Sequence, residues 1–194
     1  MALIECYECK GKVDSEAKAC PHCGLPIEVE IVYHDNGQMS RLTFLKDGKH
    51  DGLWTEWYEN GQKKLVGSLK DGKLDGLLTE WYENGQKKQE ATYKDDKRDG
   101  LMTRWYEDGQ KKAEVTWKDG KQDGLTTAWY ENGDKKWEGN FKGGTPMTGV
   151  SWKPNGEKCP VTNVVNGNGA KVWYNNDGSV KRRVTYRDGE EVED

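Results

Sequence analysis

The sequence predicts an all-β protein, an elongated single-layer antiparallel meander of about seven repeated β-hairpins behind a small cysteine-bearing segment. Three observations carry this. First, the octapeptide Trp57-Tyr58-Glu59-Asn60-Gly61-Gln62-Lys63-Lys64 returns at Trp81–Lys88, Trp105–Lys112 and Trp129–Lys136, in steps of 24 residues. A fixed period of this size marks a repeat architecture. Second, glycine turns punctuate the chain at two places in each repeat and leave segments of about six residues, the usual strand length. Third, only 33% of the 194 residues are hydrophobic, yet there are 9 Trp and 9 Tyr. Few aliphatic and many aromatic side chains suit a thin sheet better than a thick core.

The octapeptide reads as a strand end, a turn and a strand start. Asn-Gly tolerates positive φ at both central positions, as a two-residue type I′ hairpin requires. Aligning on the turn glycine gives Gly37, Gly61, Gly85, Gly109, Gly133, Gly156 and Gly178. Eleven residues later comes a second turn, Lys-Asp-Gly-Lys in its clearest copies, such as Lys70–Lys73. Two strands per repeat joined by short turns make an antiparallel meander. With a two-residue loop, Leu53, Thr55 and Trp57 share one face with Lys64, Val66 and Ser68. Trp54, Glu56 and Tyr58 share the other with Lys63, Leu65 and Leu69, whereas a three-residue loop with a bulge, the alternative, would put Trp57 with Leu65 and Leu69. Repeats six and seven are degraded, as capping repeats often are.

Residues 1–27 stand outside the repeat. Cys6-x-x-Cys9 and Cys20-x-x-Cys23 have the spacing by which two tight turns offer four thiolates to one tetrahedral Zn²⁺. Gly11 and Gly24 follow the two pairs, where a knuckle turn needs unhindered backbone. Two disulfides, or a redox dithiol, are the alternatives, but nothing in the sequence implies an oxidising compartment. The expected domains are a zinc ribbon over 1–27 and the hairpin array over 28–194. Four thiolates fill the coordination shell, so the single zinc is structural and His22 is a solvent-facing knuckle residue. The segment resembles the short zinc ribbons found at the ends of many bacterial proteins.

The repeat itself, Trp-Tyr-Glu-Asn-Gly-Gln-Lys-Lys followed by Tyr-Lys-Asp-Gly-Lys-x-Asp-Gly, resembles the variant MORN repeat (membrane occupation and recognition nexus). It is especially similar to bacterial proteins labelled YwqK-family antitoxins. The resemblance covers about residues 30–190. It implies a sheet of stacked hairpins with a binding or scaffolding role, protein or lipid partners, and no intrinsic catalysis.

The residues agree with a non-enzymatic reading. The repeated Glu59, Glu83, Glu107 and Glu131 share one environment, whereas acid–base catalysis needs carboxylates whose environments differ. No nucleophile-elbow, phosphate-cradling or His-Glu-x-x-His pattern occurs. Trp57, Trp81, Trp105 and Trp129, with Tyr58, Tyr82, Tyr106 and Tyr130, form the candidate binding rows. Their plainer role is to cover the sheet, with support from Lys64, Lys88, Lys112 and Lys136.

Specificity is expected where the copies differ, at His34, Trp54, Leu78, Met102 and Thr126. The expected activity is binding of a protein partner, toxin-like under the antitoxin resemblance. Association with membrane phospholipid is the alternative, and a carbohydrate-active enzyme a remote one. The net charge of −4 argues against nucleic acid and weakens the membrane alternative. Absence of a signal-peptide core makes the cytoplasm the expected compartment.

Overall fold

A computed structural model describes residues 3–6, 9–24 and 28–192. The described residues contain β-strands and no helix. The chain divides into two compact units, Met1–Gly85 with Tyr93–Asp96, and Gln86–Thr92 with Lys97–Asp194.

In the first unit β1 (Leu3–Glu5) pairs antiparallel with β2 (Lys12–Asp14). The meander begins with β3 (Glu28–Tyr33), β4 (Met39–Lys46), β5 (Lys49–Trp57) and β6 (Lys63–Lys70), each antiparallel to its predecessor. The short β7 (Lys73–Leu74) and β8 (Gly76–Trp81) both pair with β6. β9 (Lys87–Lys94) contributes residues to both units. The second unit continues through β10 (Lys97–Trp105), β11 (Lys111–Lys118), β12 (Lys121–Trp129), β13 (Lys135–Lys142) and β14 (Thr145–Ser151). It ends with β15 (Asn163–Val165), β16 (Asn168–Tyr174), β17 (Val180–Arg187) and β18 (Glu190–Val192). The antiparallel meander is the fold that the repeat predicts.

The Asn-Gly turn is not the two-residue type I′ turn that the sequence predicts. At Asn60-Gly61 only the glycine has positive φ, at 79°. The Gly61 N–H donates to the Tyr58 carbonyl and the Tyr58 N–H to the Gln62 carbonyl. This is a three-residue loop, a type I turn followed by a left-handed glycine, and not type I′. The type I′ turn is the Asp-Gly one, where Asp71 and Gly72 have φ of 49° and 82°. Even Asp95-Asp96 adopts it, at 47° and 65°.

Asn60 is selected for hydrogen bonds rather than for φ. Its Oδ1 accepts from the Gln62 N–H at 2.9 Å and its Nδ2 donates to the Glu83 carbonyl at 3.2 Å. A compensating bulge then restores the register: Trp57 faces Lys63, but Glu56 faces Leu65. Lys64 is the extra residue. Leu53 therefore lies opposite Ser68 and Thr55 opposite Val66, as the two-residue loop would have placed them.

Hydrogen bonds lace successive repeats at both ends of the strands. At the Asn-Gly end the Tyr58 hydroxyl donates to the Trp81 carbonyl, Tyr106 to Trp129 and Tyr130 to Trp152, each at 2.8 Å. His34 stands in the tyrosine position of the first repeat and makes the same bond through Nε2 to the Trp57 carbonyl, 2.9 Å. At the other end the Asp51, Asp99 and Asp123 carboxylates accept from the N–H groups of Asp71, Asp119 and Gly143. Each of these aspartates precedes a glycine, and Gly52, Gly76, Gly100 and Gly124 have φ of 109–116°. That region is outside the left-handed helical well and essentially closed to other residues.

Of the expected specificity positions, His34 and Trp54 are half-buried, and three fill the sheet instead. Leu78, Met102 and Thr126 are buried, so their variation repacks an inner face and is not presented to a partner.

Gly76→Ala is expected to cost about 2–3 kcal/mol, because its backbone conformation is strained for any Cβ. The new methyl would also meet Ser68 at 3.2 Å. Gly61→Ala, in the ordinary left-handed well, should cost about 1 kcal/mol. Urea unfolding of the two variants measures the difference; equal losses would refute the distinction.

Candidate metal centre and repeat faces

The four cysteines converge. Cys6 Sγ lies 3.8 Å from Cys23 Sγ and Cys9 Sγ 3.6 Å from Cys20 Sγ. All four sulfurs fall within 4.8 Å of one another, and none forms a disulfide. A tetrahedron with metal–sulfur bonds of about 2.3 Å has edges of about 3.8 Å, so the thiols are spaced to hold a metal ion.

Each pair sits on a knuckle. The Lys10 N–H donates to the Cys6 carbonyl and the Gly24 N–H to the Cys20 carbonyl, with Lys10 and Gly24 at φ of 61° and 72°. The left-handed residues are thus Lys10 and Gly24; the expectation for Gly11 was one residue late. Gly11 is instead required by the His22 ring, whose Cδ2 would lie 2.4 Å from a Cβ. His22 also bonds the Lys12 carbonyl at 3.3 Å. It is exposed, as expected. Burial opposes ionisation of Cys20, but the N–H groups of His22 and Cys23 outweigh it, with help from the Cys9 and Cys23 thiols. Its pKa falls to about 6, which suits a thiolate ligand.

The segment docks on the sheet. Cys6 and Cys20 are buried in one cluster with Ile4, Val13, Leu42 and Phe44, and Leu53 and Trp57 pack against it. The two buried thiols of the cluster are therefore part of the contact with β4 and β5.

The candidate aromatic rows are built into the fold. Trp57, Trp81, Trp105 and Trp129 are half-buried, as are Tyr58, Tyr82 and Tyr106, and Tyr130 is buried. Lys112 and Lys136 stack on Tyr106 and Tyr130 at 4.9 and 4.7 Å, rather than on tryptophans. Lys87 and Lys135 instead lie over Trp105 and Trp152. Trp57 and Tyr58 meet at a cleft of about 360 Å³ whose other walls are His34, Glu59, Asn60, Lys64 and Glu83.

A second row escaped the sequence reading. Leu77, Leu101 and Leu125 are 50%, 54% and 50% exposed. They occupy the repeat position of Leu53, the residue that packs against the docked segment. The 24-residue period of these leucines was the available signal, masked by the larger aromatic residues beside them.

A family model described as the MORN repeat variant matches three segments, residues 51–71, 74–95 and 98–119. No curated protein gives a match to the chain. The three matched segments follow one another in tandem, and the same left-handed turn glycine recurs outside them at Gly37, Gly133, Gly156 and Gly178.

Lys171 is a further unforeseen feature. It is 9% exposed, with its ammonium 3.5 Å from the ring centre of Trp137 and 4.5 Å from that of Trp173. The Trp137 indole reaches it across Gly149, where a Cβ would lie 1.9 Å from the ring. Burial pulls the Lys171 pKa down from 10.5 to about 7, while the two indole faces favour the cation. The unfolded chain holds this proton to higher pH than the folded chain, so stability rises with pH between those two values. Lys171→Met should therefore gain most over the native chain near about pH 6 and least near about pH 10. Urea titrations across that range check it; a constant gap would mean that the rings alone keep the ammonium charged.

Proposed function

We propose that the protein is a non-catalytic interaction module that binds a protein partner through its repeat sheet, with a structural zinc ion in the four-cysteine centre. One observation carries the first part. The chain already uses the Leu53 position to seat one small folded segment, and Leu77, Leu101 and Leu125 present the same side chain, half exposed, at the equivalent positions. Exposed apolar residues recurring at one repeat position mark a surface made for contact. MORN repeats serve in general as protein- or membrane-interaction modules, which supports the same reading. Under the antitoxin resemblance the partner is a toxin, neutralised by masking of its surface, and the compartment is the cytoplasm.

Thiolate chemistry supports zinc. Four sulfur ligands at tetrahedral spacing favour a soft or borderline ion without an open coordination position, so the metal stabilises the segment and performs no reaction. A segment this small gains from the ion what it lacks in apolar core.

Two measurements test the proposal. Metal analysis of the purified protein should return one zinc per chain, falling below a tenth of that in Cys20→Ser; a metal-free native chain would overturn the zinc assignment. Co-purification from the native cell should recover a protein partner that the folded Leu101→Glu/Leu125→Glu variant loses. Recovery of lipid alone, equally by both chains, would overturn the protein-partner reading.

A further inference from the structure

We propose that the cleft between the metal-bearing segment and the sheet is a binding site for a straight-chain carboxylate, with its acyl chain inside and its head group on Lys63. The cleft is a cavity of about 240 Å³ within the first unit. Its walls include Ile4 from β1, Met39, Leu42 and Phe44 from β4, Leu53 from β5 and Val66 from β6. Apolar side chains supply most of the lining residues, and Glu5, Thr55 and Lys63 add polar groups, a combination that suits an amphipathic small molecule.

The repeats themselves show what is unusual here. In the third, fourth and fifth copies the lysine of this column is neutralised by a glutamate three residues on. Lys87 pairs with Glu90 at 2.6 Å, Lys111 with Glu114 at 2.6 Å and Lys135 with Glu138 at 2.7 Å. Lys63 is the corresponding lysine, but the residue three on is Val66. The exchange does two things at one place: it removes the carboxylate from the cation and adds an apolar wall to the cavity. Among the described residues Lys63 forms no ion pair, although Glu5 also lines the cavity. A ligand that restores what the repeat has lost must bring its own negative charge, attached to an apolar body that fills the space beside Val66. Glu5 opposes such a ligand and sets its affinity low.

Isothermal titration of the zinc-loaded full chain with hexanoate, octanoate and decanoate tests the site. Each added methylene should tighten binding by about fourfold until the cavity is full. Backbone amide shifts in NMR should move at Leu53, Thr55 and Val66. Lys63→Gln, an exposed change, should weaken decanoate at least fivefold while leaving decanol unaffected, and Glu5→Gln should tighten decanoate. Val66→Glu rebuilds the ion pair of the other repeats and should abolish binding. Three results would overturn the proposal: no binding of any acid in the series, equal binding of decyltrimethylammonium, or unchanged affinity in Lys63→Gln.

Discussion

The structure depends on a hydrogen-bond constraint at the turns. A strand that ends at a tight turn leaves backbone groups without ladder partners, and a buried or half-buried backbone group left unpaired is costly. The repeat answers this with side chains placed 20–24 residues away. The Tyr58 hydroxyl reaches the Trp81 carbonyl, Asn60 reaches the Glu83 carbonyl, and the Asp51 carboxylate reaches the Asp71 N–H. These bonds join one repeat to the next and do not act within a hairpin. A single hairpin cannot make them, so stability is shared between neighbours, as in other repeat proteins. They also tie the repeats together where the period changes by one residue, since Tyr130 reaches Trp152 across 22 residues as Tyr58 reaches Trp81 across 23.

The same logic explains the metal centre. Leu42, Phe44, Leu53 and Val66 make the start of the sheet apolar on one face, and an uncovered apolar face would be open to association. The small segment covers it, yet it has two strands of three residues each and little core of its own. Cys6 and Cys20 belong at once to the four-thiol cluster and to the buried contact with Leu42 and Phe44. An ion held by the four thiols would therefore couple to docking, since Cys6 and Cys20 belong to both.

The period of 24, the strands and the cysteine tetrad could all be read from the sequence, because each rests on local spacing. The turn types could not. Asn-Gly satisfies the rule for type I′, but the rule concerns φ alone, and the Asn60 side chain is committed to the Gln62 N–H and the Glu83 carbonyl. Those partners exist only once the next repeat is in place. The faces of the strand centres are as expected, because the three-residue loop and the bulge at Lys64 displace the register by equal and opposite amounts, but the two lysines beside the turn exchange faces: Lys63 pairs with Trp57 and lines a cavity with Leu53 and Val66, and Lys112, the counterpart of Lys64, stacks on Tyr106. The leucine row and the place of Lys171 were not legible. Whether Leu77 is covered like Leu53 or left half exposed is decided by a neighbouring element, and the sequence around the two is nearly the same.

Departures from the repeat are as informative as its copies. Lys171 has no lysine or carboxylate counterpart in the earlier repeats, and its site exists only because Gly149 lets the Trp137 indole cross β14. β15 is only three residues long, which leaves β14 and β16 near enough for that ring to reach Lys171. A long pairing strand at that position would separate them. Shortening β15 and placing glycine at 149 thus act together, enclosing an indole at Trp137, a position that the earlier repeats fill with Leu65, Gln89 and Ala113. The loss of sequence regularity in the last repeats is therefore not simple decay. It marks where the sheet stops repeating a surface and begins to bury one.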